Sequence, residues 1–350
     1  MKKVLILLLF LSFIPIKLSA AEAEIVMDMD SGRILHAKNI NDKHLIASTT
    51  KIMTATIALE NAKLKEKYTV GNEIKQVYGS SMYLTVGEKL TLKQLLYGLL
   101  LRSGNDAAIV ISNNVCKNEK DFVSLMNKKA KELKMSNTIF SNPHGLDEKT
   151  KNISTAYDMA LLTKYAMKNK EYRKITSTKK ISFKTNKRDY TLYNKNRLLI
   201  TYKPCTGGKT GYTTKARRTL VTTASKNNLD LVIVTIEDEN KFSTHEALYN
   251  KYYKEYKNYK VLDKYTFSVK GKNKYSPYHL YIKNDLFLPL KKEEKDNLEL
   301  NIILEDKKKI KDNTKVGYAQ IKYKENILGK RAIYASKKEN ENSFWYKLFR

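Results

Sequence analysis

Ser48 and Lys51 stand three residues apart at the front of the apolar run Leu45-Ile46-Ala47-Ser48-Thr49-Thr50-Lys51-Ile52-Met53-Thr54-Ala55, so on a helix the hydroxyl and the amine leave the same face. Serine is a weak nucleophile at its own pKa and needs a base within hydrogen-bond reach. A lysine can be that base if burial and a second cation lower its pKa. Two later segments offer partners. Ser103-Gly104-Asn105-Asp106-Ala107 falls at a tight break between two apolar helical patterns, and Lys209-Thr210-Gly211-Tyr212-Thr213 reads as a glycine-flanked strand. Lys209 is the obvious second cation. The chemistry such a set could perform is acyl transfer through a serine ester.

Each motif alone is weak in so lysine-rich a chain. Ser177-Thr178-Lys179-Lys180 repeats the Ser-x-x-Lys spacing, and Ser112-Asn113-Asn114 and Ser225-Lys226-Asn227 repeat Ser-x-Asn. Order and setting discriminate. Ser177 lies in a polar stretch after Ser103, Ser112 falls inside a helix, and Ser225 follows Lys209. Asp106 reads as a helix N-terminal residue, and His144, after Pro143, as a structural loop residue.

The positioning elements can be read in order. Glu24–Asp30 and Arg33–Lys38 form a hairpin around Asp30-Ser31-Gly32, followed by the Ser48 helix. Leucines at three- and four-residue spacing between Thr91 and Leu101 mark a core helix. Helices are also expected at Ala107–Val115 and Glu119–Met135, and from the Thr155-Ala156-Tyr157-Asp158 cap to Met167. Lys170–Asn196 is polar, with short alternating pieces that resist assignment. Arg218–Ala224 and Leu229–Ile236 form a β-branched hairpin. Strands at both ends with helices between them predict an α+β fold, one antiparallel sheet covered by helices. A closing helix is expected at His245–Tyr259. Beyond it the alternating segments Leu262–Val269, Tyr275–Ile282, Leu298–Leu304 and Val316–Tyr323 predict a small all-β domain. The boundaries are a signal peptide over 1–23, a catalytic domain over 24–258, a β-rich domain over 259–335 and a polar tail over 336–350. In that tail, Phe344, Trp345, Leu348 and Phe349 share one side of a helical drawing, as in an interfacial membrane anchor.

Length and composition agree with a large and a small domain: 350 residues, with 66 Lys plus Arg against 36 Asp plus Glu and a net charge of +30. The basic start, short apolar centre and small residues up to Ala21 match a secretory signal, and the apolar run is too short to span a bilayer comfortably. Export and the lack of a nucleic-acid motif argue against nucleic acid as partner, leaving anionic lipid surfaces and wall polymers. Cys116 and Cys205 are too few for a disulfide-built fold. The histidines have no ligand spacing, so neither metal nor cofactor is expected.

Ser48-Thr49-Thr50-Lys51, Ser103-Gly104-Asn105 and Lys209-Thr210-Gly211 together resemble the motifs of the low-molecular-mass penicillin-binding proteins, the serine D-alanyl-D-alanine carboxypeptidases. Asn142-Pro143-His144-Gly145-Leu146, Ser154–Ala160 and Asn196-Arg197-Leu198-Leu199 extend the likeness. The resemblance implies that Ser48 attacks the carbonyl of a terminal D-Ala-D-Ala bond in peptidoglycan stem peptides, with Lys51 as base. Ser103 would relay a proton to the leaving amine, Asn105 would hold the substrate amide, and Lys209 and Thr210 would meet the terminal carboxylate. Gly211 would let substrate lie close to the strand, and the amides of Ser48 and Tyr212 would form the oxyanion hole. β-Lactam antibiotics would acylate Ser48. The chain departs from the family with Ala216-Arg217 in place of Ala-Gly, and with Lys241 as the nearest match to an arginine that meets the carboxylate in many members. A β-lactamase is the first alternative, although Glu246-Ala247-Leu248-Tyr249-Asn250 follows Lys209 and lacks the residue pattern of a deacylation loop. A low-activity wall-binding or assembly protein of the same fold is the second.

Overall fold

The computed structural model describes residues 21–270 and 273–337. Most of the expected signal peptide and the aromatic tail lie outside them, and no helix among the described residues is long and apolar enough to cross a membrane.

A five-stranded antiparallel sheet carries the larger domain, in the order Ile34–Lys38, Ala23–Asp28, Leu229–Ile236, Arg217–Lys226, Cys205–Thr213. The ends of this domain's sequence meet in it, with Ala23 opposite Ile236. Alternate residues of a strand face opposite sides, and both sides are buried. Val232, Val234 and Ile236 join a large core with the helices Lys51–Asn61 and Ala156–Ala166. Leu229, Leu231 and Ile233 join a second core with Tyr249, Tyr252 and Tyr253 of the helix Lys241–Glu255. That helix starts and ends about four residues before the expected one. The Cys205–Thr213 strand is the sheet's edge and packs against the turn bearing Ser48.

The unassigned Lys170–Asn196 stretch holds a helix, Lys170–Thr176, and a hairpin of Lys180–Lys184 with Asp189–Tyr193. Asn169 caps the helix through the amides of Glu171 and Tyr172. Only alternate hairpin residues are covered, which halves the apolar signal.

In the smaller domain the main sheet runs Val269–Lys270, Tyr278–Ile282, Asn326–Lys337, Thr314–Tyr323, Glu299–Leu304, with Lys257–Leu262 paired separately to Leu286–Leu290. Leu280, Leu286, Leu288, Val316 and Ile333 form its core. The expected strand at Leu262–Val269 is instead a turn. Asp263 accepts hydrogen bonds from the Tyr265 amide through its side chain and the Phe267 amide through its carbonyl, each at 2.8 Å, as turn-forming aspartates do.

The two domains are joined through Arg33 of the N-terminal hairpin. Its guanidinium grips Glu294, with one contact at 3.0 Å, donates to the Pro289 carbonyl and lies over the Tyr256 ring. Both side chains are about nine-tenths buried, at 12% and 10% exposure. Removing one partner of such a pair strands a buried charge at a cost of about 3 kcal/mol, so Glu294→Ala should make the β-domain melt before the larger domain in calorimetry. Burial pushes the Glu294 carboxyl up, but Arg33 and the Lys291 amide outweigh it, and its pKa lies below the usual glutamate range. Stability from the pair is therefore present above that range and lost as pH falls through the lowered pKa. Glu294→Gln should flatten that acid limb, and an unchanged limb would show that the pair does not couple the domains.

Candidate active site

Ser48 lies in a single tight turn, Ala47–Thr50, that runs directly into the Lys51–Asn61 helix. Lys51 Nζ sits 3.0 Å from Ser48 Oγ, 2.7 Å from Asn105 Oδ1 and 2.5 Å from the His144 carbonyl. No carboxylate touches it, and it is fully buried. Burial, and then the Lys195 cation, lower its pKa to about 7 against the opposing pull of Asp106. The turn itself is held at unusual angles. Ala47 has φ +45, in the left-handed region, which is strained for a residue with a Cβ. Gly145, at φ +88, lies so close beneath that a Cβ there would stand 2.0 Å from the Ala47 carbonyl oxygen.

The loop over residues 141–152 supports this turn through amide side chains. Asn152 Nδ2 donates to Thr50 Oγ1 at 2.9 Å, and Asn142 Oδ1 accepts from the Gly145 amide at 2.6 Å. Thr54 Oγ1 donates to the Pro143 carbonyl. Burial and then Lys51 hold the His144 imidazole at about 3. Its Nδ1 accepts from the Leu146 amide.

Ser103 ends a helix, Leu92–Tyr97, that widens into one π turn, Gly98–Arg102, and is itself left-handed at φ 65. This geometry turns its hydroxyl to Lys209 Nζ at 3.0 Å, and Lys209 also donates to the Thr210 carbonyl at 2.7 Å. Lys209 is buried; burial, then Lys51, Lys195 and Lys241, push its pKa well down. Asn105 starts the following helix and donates through Nδ2 to the Tyr78 carbonyl at 2.6 Å. Asp106 accepts from Ser81 Oγ and from the amides of Met82 and Leu84, fastening the loop above Asn105.

Gly211 lines the cleft and also serves the packing behind it. A Cβ there would meet Thr219 Oγ1 at 2.2 Å and the Ile46 carbonyl at 3.1 Å, so glycine lets the strand approach the Ser48 turn. The expected residues converge: Ser48, Ser103, Thr210, Tyr212 and Lys241 line one cleft of about 320 Å³, with Lys51, Asn105 and Lys209 bonded behind it. The repeated motifs stay apart, Ser112 bonding to the Ile109 carbonyl within its helix and Ser177 to the Lys174 carbonyl at the surface.

Two charged cleft residues escaped sequence reasoning. Lys195, exposed at the cleft rim, donates to Ser80 Oγ at 3.0 Å; it directly precedes the Asn196-Arg197-Leu198-Leu199 segment, which was the available signal. Arg218 lies opposite Tyr212 in the sheet register, stacks over its ring at 5.2 Å and pairs with Glu239 at 2.7 Å. Its neighbour Arg217 occupies the departure from glycine at φ +53. It is Arg218 that joins Lys241 in the cleft. Burial and then Arg218 lower the Lys241 pKa to about 8. Cys116 and Cys205 are free thiols.

A serine hydroxyl beside a buried amine that is half-neutral near pH 7 can lose its proton to that amine, and a second hydroxyl–amine pair faces the same cleft. Comparison with known proteins agrees. Residues 15–240 match the family model described as D-alanyl-D-alanine carboxypeptidase, and residues 253–341 that of the penicillin-binding protein 5 C-terminal domain. D-alanyl-D-alanine carboxypeptidase DacF of Bacillus subtilis is 36% identical over 220 residues, covering 61% of this chain and 56% of that protein. DacC of Escherichia coli is 35% identical over 245 residues, covering 65% and 60%. The matches thus span somewhat over half the length of these relatives. The crystal structure of a D-alanyl-D-alanine carboxypeptidase from Mycobacterium tuberculosis aligns with TM-score 0.63 at 32% identity over 66% of this chain and 89% of that one. Penicillin-binding protein 5 from Haemophilus influenzae shares the fold of both domains, with TM-score 0.78 at 24% identity over 91% of this chain and 96% of that one. The chain belongs to the D-alanyl-D-alanine carboxypeptidase family.

Proposed function

We propose that the chain is an exported serine D-Ala-D-Ala carboxypeptidase that removes the terminal D-Ala of peptidoglycan stem peptides and is acylated by penicillins at Ser48. The observation that carries this reading is the buried Lys51 amine 3.0 Å from Ser48 Oγ, with its pKa lowered to about 7. Neutral Lys51 takes the Ser48 proton as the hydroxyl attacks the penultimate carbonyl. The oxyanion is met by the amides of Ser48 and Tyr212; one such donor contributes about 3 kcal/mol. Ser103, held by Lys209, passes a proton to the departing amine, while Asn105 orients Lys51 and the substrate amide. Thr210, Lys241 and the unpaired Nη groups of Arg218 take the terminal carboxylate. Arg218 thereby supplies from the neighbouring strand the fork that Lys241 lacks. Water then cleaves the ester.

A β-lactamase reading is disfavoured because Glu246–Asn250 belongs to the helix on the opposite face of the sheet from the Ser48 helix, with Tyr249 fully buried. The basic amino terminus supports export, and the net charge of +30 and the aromatic tail support attachment at an anionic membrane surface.

Incubating the protein and Ser48→Ala with a fluorescent penicillin and a peptide ending in Lys-D-Ala-D-Ala tests the reading. It requires a long-lived label and released D-alanine, both lost in the variant; rapid penicillin turnover would instead identify a β-lactamase, and no labelling a binding protein. Acylation also needs Lys51 neutral, so its rate should rise as pH passes about 7. Lys195→Met removes a cation that lowers the Lys51 pKa and should move that rise to higher pH; Lys51→Ala should cost about 10²–10⁴ in rate.

A further inference from the structure

The main sheet of the smaller domain buries one face and leaves the other open. Leu280, Ile282, Ala319 and Ile333 point into the core, so the residues alternating with them point outward. Outward stand Tyr281 opposite Tyr334, and Tyr318 opposite Ala332. Ala332 lies in the interior of the sheet and is still partly exposed, so no element is packed over it. The charges on this face are nearly all of one sign. Lys283 follows Ile282 at a strand end, Lys330 stands opposite Gln320, and Lys322 stands opposite Glu299 on the edge strand. Glu299 is the one carboxylate in these rows among the described residues, and it makes no ion pair with Lys322. Nor does Lys283 or Lys330 have an ion-pair partner there, whereas Lys315 reaches Glu305 at 3.4 Å.

Tyrosine rings hold the amines in place. Lys283 Nζ lies 4.1 Å from the centre of the Tyr334 ring, and the amines of Lys315 and Lys330 lie 3.9 and 5.0 Å from that of Tyr318. Cation–π contacts of this kind restrain side chains that otherwise sample many rotamers. An amine already in place loses less freedom when it meets an anion.

We propose that this face binds a linear polyanion of the cell wall, a chain of polyols or sugars joined by phosphodiesters. Lys283, Lys330 and Lys322 belong to three neighbouring strands spaced about 5 Å apart, so an extended chain laid across the strands meets them in turn. Lysine is a point charge without arginine's planar fork. It accepts a phosphodiester in any rotation, as a repeating polymer held in many registers requires. A bilayer fits this face less well, because a membrane-facing surface projects apolar side chains. Here the tyrosines lie against the lysines, and the exposed Ile303 and Ile327 stand at the margins of the sheet. Binding there fastens the molecule to the wall through the domain that lacks the Ser48 cleft. The inference requires export but not the carboxypeptidase activity.

The test uses the full chain and a short, end-labelled poly(glycerol phosphate), with the dissociation constant read by fluorescence anisotropy at one fixed salt concentration. Three variants are compared: Lys283→Gln/Lys322→Gln/Lys330→Gln, Tyr318→Leu/Tyr334→Leu, and a control, Lys117→Gln/Lys120→Gln/Lys128→Gln, which removes the same charge from exposed lysines of the larger domain. Circular dichroism confirms that each is folded. The lysine triple should lose about tenfold in affinity, the tyrosine pair should lose affinity with its charge unchanged, and the control should bind as the unaltered protein does. Equal losses in the triple and the control would assign binding to the general charge of the chain and overturn the proposal. So would an unaffected tyrosine pair, an absence of polymer binding, or phosphatidylglycerol vesicles bound more tightly than the polymer with the same lysine dependence. D-alanine release from a short soluble peptide should be unchanged in all three variants, which keeps this result separate from the carboxypeptidase reading.

Discussion

Burying a lysine amine with no carboxylate against it is the constraint on which this molecule turns. Lys51 is surrounded by a serine hydroxyl, an asparagine oxygen and a backbone carbonyl. Those groups can accept hydrogen bonds from an ammonium but do little to offset the loss of hydration of its charge. An aspartate in contact would remove the penalty and hold the amine protonated. Asp106, the acid that opposes the shift, is occupied by the loop amides of Met82 and Leu84 and by Ser81. Lys195 adds repulsion, and Lys209 repeats the arrangement on the other side of the cleft. The destabilisation of the charged form is what makes these amines useful to the adjacent hydroxyls.

Such a site must be held by something rigid. Two of its residues, Ala47 and Ser103, lie in the left-handed region despite having side chains, a conformation that persists where surrounding structure over-determines it. The surroundings here are a sheet buried on both faces, a loop tied down by Asn142 and Asn152, and Gly145 pressed against the Ala47 carbonyl. The Lys209 strand is the sheet's edge, which leaves one row of its peptide groups facing the cleft for a substrate backbone.

Much of this was legible in the sequence because the informative signals were local. The Ser48–Lys51 spacing fixes a shared helical face, the leucines after Thr91 fix a core helix, and the β-branched runs after Arg218 fix a hairpin. What escaped depended on tertiary register. Arg218 enters the cleft because it stands opposite Tyr212 across the sheet, and Lys195 because its amine reaches Ser80; the Asn196-Arg197-Leu198-Leu199 motif beside Lys195 marks its segment but not that contact. The packing contacts of Gly211 were hidden for the same reason, since Thr219 and Ile46, whose atoms a Cβ there would meet, are brought to it only by the fold. In the smaller domain short strands of modest hydrophobicity blurred into their turns, and Asp263 converted an apparent strand start into a turn.

The central claim is a protonation state, and it can be observed without turnover. Lysine labelled with ¹³C at Cε reports each amine separately in an NMR titration. One resonance, absent from Lys51→Met, should titrate near pH 7, while surface lysines titrate near their ordinary value of about 10.4. A Lys51 resonance that stays protonated up to pH 10 would contradict the account, because Ser48 would then have no base beside it.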